Sequence, residues 1–85
     1  MPVRVTIEAA SKAEAELIAQ RLPVEGAAQS WRGLGVIRIG VKDKAETETL
    51  IDAVSRSCRE HSLKWARVRY GDEERVFKAN GKRPG

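Results

Sequence analysis

Val3, Val5 and Ile7 alternate with Arg4, Thr6 and Glu8 at the start of the chain, which is the two-residue period of a strand with one face buried. The period then lengthens. Ser11 followed by Glu14 is a capping box, in which the serine oxygen takes one orphan amide and the glutamate returns to another. Ala13, Ala15, Leu17, Ile18, Ala19 and Leu22 continue as helix formers until Pro23, whose ring cannot extend the hydrogen-bond ladder. This predicts a helix over 11–22 that turns Ala15, Ile18 and Leu22 to the core.

The stretch from Val24 to Trp31 is rich in small residues and reads as an edge strand, closed by a turn at Arg32 and Gly33 with Gly35 beside it. Ile37, Ile39 and Val41 restore strict alternation, and Asp43 with Glu46 repeats the cap before a helix of about 44–61 that carries Leu50, Ile51, Val54 and Cys58 on one stripe. Leu63 to Tyr70 reads as a fourth strand. Gly71 and Asp72 are turn residues, after which Arg75 to Lys78 reads as a short fifth strand pairing back on the fourth.

The two halves correspond. Val5, Ile7 and Ser11-Lys12-Ala13-Glu14 align with Ile37, Ile39 and Asp43-Lys44-Ala45-Glu46, and one inserted residue then brings Leu17-Ile18 onto Leu50-Ile51. Two strand–helix–strand units with right-handed crossovers place both helices on one face of an antiparallel sheet. The expected fold is therefore an α+β, ferredoxin-like βαββαβ sandwich. It has a four-stranded sheet in the order 4-1-3-2, with the short fifth strand as an addition. One domain spans residues 1–78, since 85 residues are too few to give two halves each a core. Residues 79–85, with two glycines, a proline and no large apolar side chain, read as a disordered basic tail.

Composition narrows the class. Hydrophobic residues are 41% and charged ones 33% of the chain, which suits a soluble globular domain and neither a disordered segment nor a membrane protein. No run nears the roughly 18 apolar residues of a membrane span, and the start MPVRVTIEAASK lacks the pattern of an export signal, so the expected location is the cytoplasm. Cys58 is the only cysteine, which excludes an internal disulfide and agrees with a reducing compartment. The net charge of +4 is unevenly placed: residues 1–60 hold nine basic and nine acidic side chains, and residues 61–85 hold seven basic and three acidic. Clustered positive charge attracts phosphates, acidic proteins or anionic lipid heads, and it also serves simply to keep a small domain soluble.

Strand alternation decides which of these charges share a surface. With Val3, Val5, Ile7, Ile37, Ile39, Val41, Ala66, Val68 and Tyr70 inward, the outward set is Arg4, Thr6, Val36, Arg38, Trp65, Arg67 and Arg69. Four arginines and a tryptophan are what single-stranded RNA needs, cations for phosphates and a flat side chain for an unstacked base. Arg75 and Lys78, in the basic carboxyl-terminal segment, extend the candidate surface. Strands one and three, however, carry no aromatic outward. Two other readings use the same residues. In one, arginine stems merely cover the sheet; in the other, a second copy packs on the face and buries Trp65 and Val36.

Other candidate chemistry is sparse. Cys58 and His61 are three apart on a helix, but Cys58 falls on the core stripe and no further His or Cys completes a metal site. Asp72, Glu73 and Glu74 lack the spaced ligands of a calcium loop, and the glycines of WRGLGVIRIG precede a strand and not a helix amino terminus. Val3–Leu22 followed by Gly35–Ile51, with its Ile37-Arg38-Ile39-Gly40 strand and an alanine-rich helix carrying an Ala-Glu pair, resembles the septal SPOR type of bacterial peptidoglycan-binding domain. That resemblance implies the same βαββαβ core and a glycan ligand outside the membrane.

The residues together predict a small non-enzymatic binding or regulatory module with no cofactor and no metal. Its expected partner is a nucleic acid or another polyanion, held by Arg4, Arg38, Trp65, Arg67, Arg69, Arg75 and Lys78. The alternative is a protein interaction module, engaging an acidic protein surface or forming a homodimer through the sheet. No pair of titratable groups is placed by any motif to act as acid and base.

Overall fold

A computed structural model describes residues 3–78. In chain order the elements are β1 (Val3–Ala9), α1 (Lys12–Arg21), β2 (Gln29–Trp31), β3 (Leu34–Val41), α2 (Lys44–Glu60), β4 (Ala66–Tyr70) and β5 (Glu73–Phe77). They form one five-stranded sheet in the order β2-β3-β1-β4-β5, every pairing antiparallel. The protein is therefore α+β with two helices on a five-stranded antiparallel sheet. The sheet has five strands and not four: the fifth, expected as a short addition over Arg75–Lys78, is a full member over Glu73–Phe77, because Gly71 and Asp72 close a two-residue hairpin that brings it into register on β4. Residues 79–85, read from sequence as a basic tail, lie outside the described residues.

The odd-numbered residues of β1 and β3 and the even-numbered ones of β4 build one core with both helices. Val5, Ile7, Ala9, Ile37, Ile39, Val41, Ala66, Val68 and Tyr70 pack with Ala15, Ile18, Leu50, Ile51, Val54 and Cys58. Gly35 permits the closest approach: a Cβ there would collide with the Ser11 carbonyl oxygen and the Ala15 methyl at the start of α1.

The helix caps are unequal. Asp43 accepts from the Glu46 amide at 3.0 Å, and Glu46 reaches back to the Lys42 amide at 2.8 Å. At α1 the Ser11 hydroxyl accepts from the Glu14 amide at 3.3 Å, but the returning half of the box is not made, and one buried Glu14 carboxylate oxygen has no partner among the described residues. α2 ends in a Schellman motif: Ser62 takes φ 52°, its amide donates to Arg59, and the Leu63 amide donates to Cys58 at 3.0 Å. Leu63 is thereby spent on the helix end, which is why β4 begins at Ala66 and not at Leu63 as the apolar pattern suggests.

Candidate functional site

The register places the solvent-side residues of the sheet in rows. Gln29, Val36, Glu8, Arg67 and Val76 face one another across the five strands. The next row is Arg38, Thr6, Arg69 and Glu74, and Arg4 follows opposite Gly40. Trp31 pairs with Leu34, which has the parity of Val36, so its indole lies on this same face. Arg4, Thr6, Glu8, Trp31, Val36, Arg38 and Arg69 line a hollow of about 460 Å³.

Glu8 organises the floor. Its carboxylate, only 6% exposed, accepts from Arg67 Nε at 2.7 Å and lies 4.0 Å from the Arg69 guanidinium. Arg69 also lies 3.8 Å from Glu74. Two of the four outward arginines are thus engaged with acids. Arg4 and Arg38 are not: among the described residues neither forms an ion pair. They are diagonal neighbours on the β1–β3 ladder, a spacing at which like charges repel unless an anion lies between them.

The aromatics sit at one end of the face. Trp31 is 49% exposed, with the Arg32 guanidinium 4.9 Å from its ring centroid. Trp65 is half-buried beneath Arg67, 5.6 Å from its ring. Both contacts fall in the range of a cation–π interaction. Positioning of Trp31 depends on the turn that follows it. Arg32 at φ 52° and Gly33 at φ 81° give the two consecutive left-handed residues of a tight hairpin, which sets Trp31 opposite Leu34.

Of the residues singled out from sequence, Arg4 and Arg38 border the hollow, and Arg69 closes its far side. Arg67 and Trp65 lie beside it and stack on each other. Lys78 is the last described residue and is exposed. Arg75 does not join them: it pairs with Val68, a core residue, and so takes the helix side of the sheet. Val36 has the expected outward parity yet is 2% exposed, covered within the hollow that Trp31, Glu8 and Arg38 surround. Sequence reasoning missed Glu8 and Trp31. Glu8 was legible from parity alone, since it alternates with Ile7; Trp31 required the register of the hairpin.

The rest of the molecule offers less. Cys58 is 1% exposed, its thiol faces the Leu63 carbonyl at 3.9 Å, and burial, with the Glu14 carboxylate second, pushes its pKa up. A protonated, enclosed sulfur is no nucleophile. Among the described residues no group of three His, Cys, Asp or Glu is placed to hold a metal ion, and no helix is long and apolar enough to cross a membrane. No protein-family model, curated protein or solved structure matches this chain.

Proposed function

We propose that the protein is a small, non-enzymatic, ferredoxin-like binding module of the cytoplasm that holds single-stranded nucleic acid on the solvent face of its sheet. One observation carries the reading: Arg4 and Arg38, two guanidiniums without carboxylate partners among the described residues, share a hollow with an exposed tryptophan. The arginines suit successive phosphates, and Trp31 offers an apolar ring for a base to stack on. Glu8 tempers the face by engaging Arg67 and Arg69, so affinity rests on Arg4 and Arg38.

The test is fluorescence anisotropy with labelled single-stranded RNA over a range of salt. Wild type should bind more weakly as salt rises, because each neutralised phosphate releases condensed counterions. Arg4→Glu with Arg38→Glu should abolish binding while circular dichroism stays native, since neither contributes to the packed side. Trp31→Ala should cost about 1–3 kcal/mol for single strands. Binding of heparin as tightly as RNA, with no effect of Trp31→Ala, would mark a general polyanion site. A wild type that binds no RNA at low salt, or a double variant that still binds, overturns the reading. Retention on glycan strands that ignores both salt and Arg38→Glu would favour the peptidoglycan alternative.

A further inference from the structure

We infer that β5 is a self-complementary edge through which two copies of this chain pair, continuing the sheet across a two-fold axis at Val76. This surface is separate from the hollow. β5 is the last strand of the sheet, and among the described residues its outer side pairs with nothing. It is exposed almost throughout, with Val76 at 52%.

Backbone polarity comes first. The hairpin has a two-residue loop closed by the pair Tyr70 and Glu73, and in such a hairpin the closing pair exchanges both hydrogen bonds. Hydrogen-bonded and non-bonded pairs then alternate, so Glu73, Arg75 and Phe77 spend their amides and carbonyls on β4. Those of Glu74 and Val76 point away from the sheet, a template for another strand that Lys78, the residue after β5, would extend by one step of the same alternation.

Side chains choose the register. A two-fold axis normal to the sheet keeps each face continuous, so residue parity must match across the seam. Centring the axis on Val76 sets Val76 against its own copy, Glu74 against Lys78 of the other chain and Arg75 against Phe77. Each outward amide and carbonyl finds a counterpart, two opposite-charge pairs form, and two guanidiniums meet phenyl rings. The neighbouring registers fail: centring on Glu74 opposes two carboxylates, and centring on Arg75 opposes two guanidiniums. Charges on an edge ordinarily block indiscriminate pairing. Here their order blocks the registers centred on Glu74 and Arg75, the inward backbone groups of Phe77 disfavour centring there, and the favoured partner is a second copy.

The test uses the full chain. Light scattering from micromolar to millimolar protein should show a concentration-dependent monomer–dimer equilibrium. A zero-length carbodiimide cross-linker should join Glu74 to Lys78, mapped by mass spectrometry. Mixing isotopically labelled with unlabelled chains separates a linkage between copies from one within a chain, since only the former yields linked peptides carrying both labels. Val76→Asp opposes two carboxylates at the axis and should leave monomer alone. Glu74→Lys should do the same, and Glu74→Lys with Lys78→Glu should restore the dimer. Monomer at every concentration, a dimer without the Glu74–Lys78 linkage, or a dimer indifferent to Val76→Asp overturns the proposal. None of these outcomes bears on RNA binding by Arg4 and Arg38.

Discussion

Cys58 and Gly35 show how much one atom decides in this fold. The Cys58 sulfur fills core space between the C-terminal turn of α2 and Leu63, and the same enclosure that raises its pKa removes its reactivity. Cys58→Ala should keep any binding activity and lower stability by about 1 kcal/mol, the cost of a small core truncation, while native wild type should label slowly with a thiol reagent. Rapid labelling of folded protein would contradict this burial. The pH dependence has a definite sign. Below the ordinary thiol value of 9.0 the group is neutral in both states. Above it the unfolded chain ionises while the native state resists, so stability falls with rising pH, and Cys58→Ala should lack that part of the fall. Gly35 is the opposite case, a side chain whose absence lets α1 approach the sheet.

Elements were legible where one local force governs them. The alternation of β1 and β3 and the Asp43–Glu46 cap survive intact, because period and cap chemistry act over a few residues. The boundaries that shifted were set by tertiary or terminal geometry. β2 shrinks to Gln29–Trp31 since only the residues beside the Arg32–Gly33 turn reach the β3 ladder. β4 starts late because Leu63 belongs to the α2 Schellman motif. That motif holds a serine where glycine is favoured, and Ser62 at φ 52° bears the steric cost of its Cβ. Ser62→Gly should therefore stabilise the protein by up to about 1 kcal/mol, less the added entropy of the unfolded chain. Chemical denaturation would read this as a higher midpoint at unchanged slope. A lower midpoint would mean that the serine side chain contributes something the backbone geometry does not reveal.

At the scale of the whole molecule, the charge asymmetry of the sequence is redistributed by the fold. The excess lies in residues 61–85, yet Arg75 turns to the helix side, and Arg67 and Arg69 are engaged by Glu8 from the opposite end of the chain. Among the described residues, the arginines of the solvent-side rows without an ion pair are Arg4 and Arg38, from the half of the chain that sums to zero. A count along the sequence cannot find this, because pairing across β1 joins residues 59 apart. Glu8 is accordingly the lever on the entire face. Glu8→Gln removes a carboxylate that is 6% exposed and leaves Arg67, a third exposed, to turn toward water. The loss of stability should be about 1 kcal/mol, the scale of one hydrogen bond whose surviving partner regains solvent. In exchange Arg67 becomes available to phosphates, while Arg69 keeps Glu74 and loses only the more distant of its two carboxylates. Affinity for single-stranded RNA should rise at low salt, and its logarithmic salt slope should steepen by about 0.7 for each additional phosphate engaged. If the hollow serves only to cover the sheet, the same variant loses stability with no change in binding, and the two measurements together separate a binding surface from a packing device.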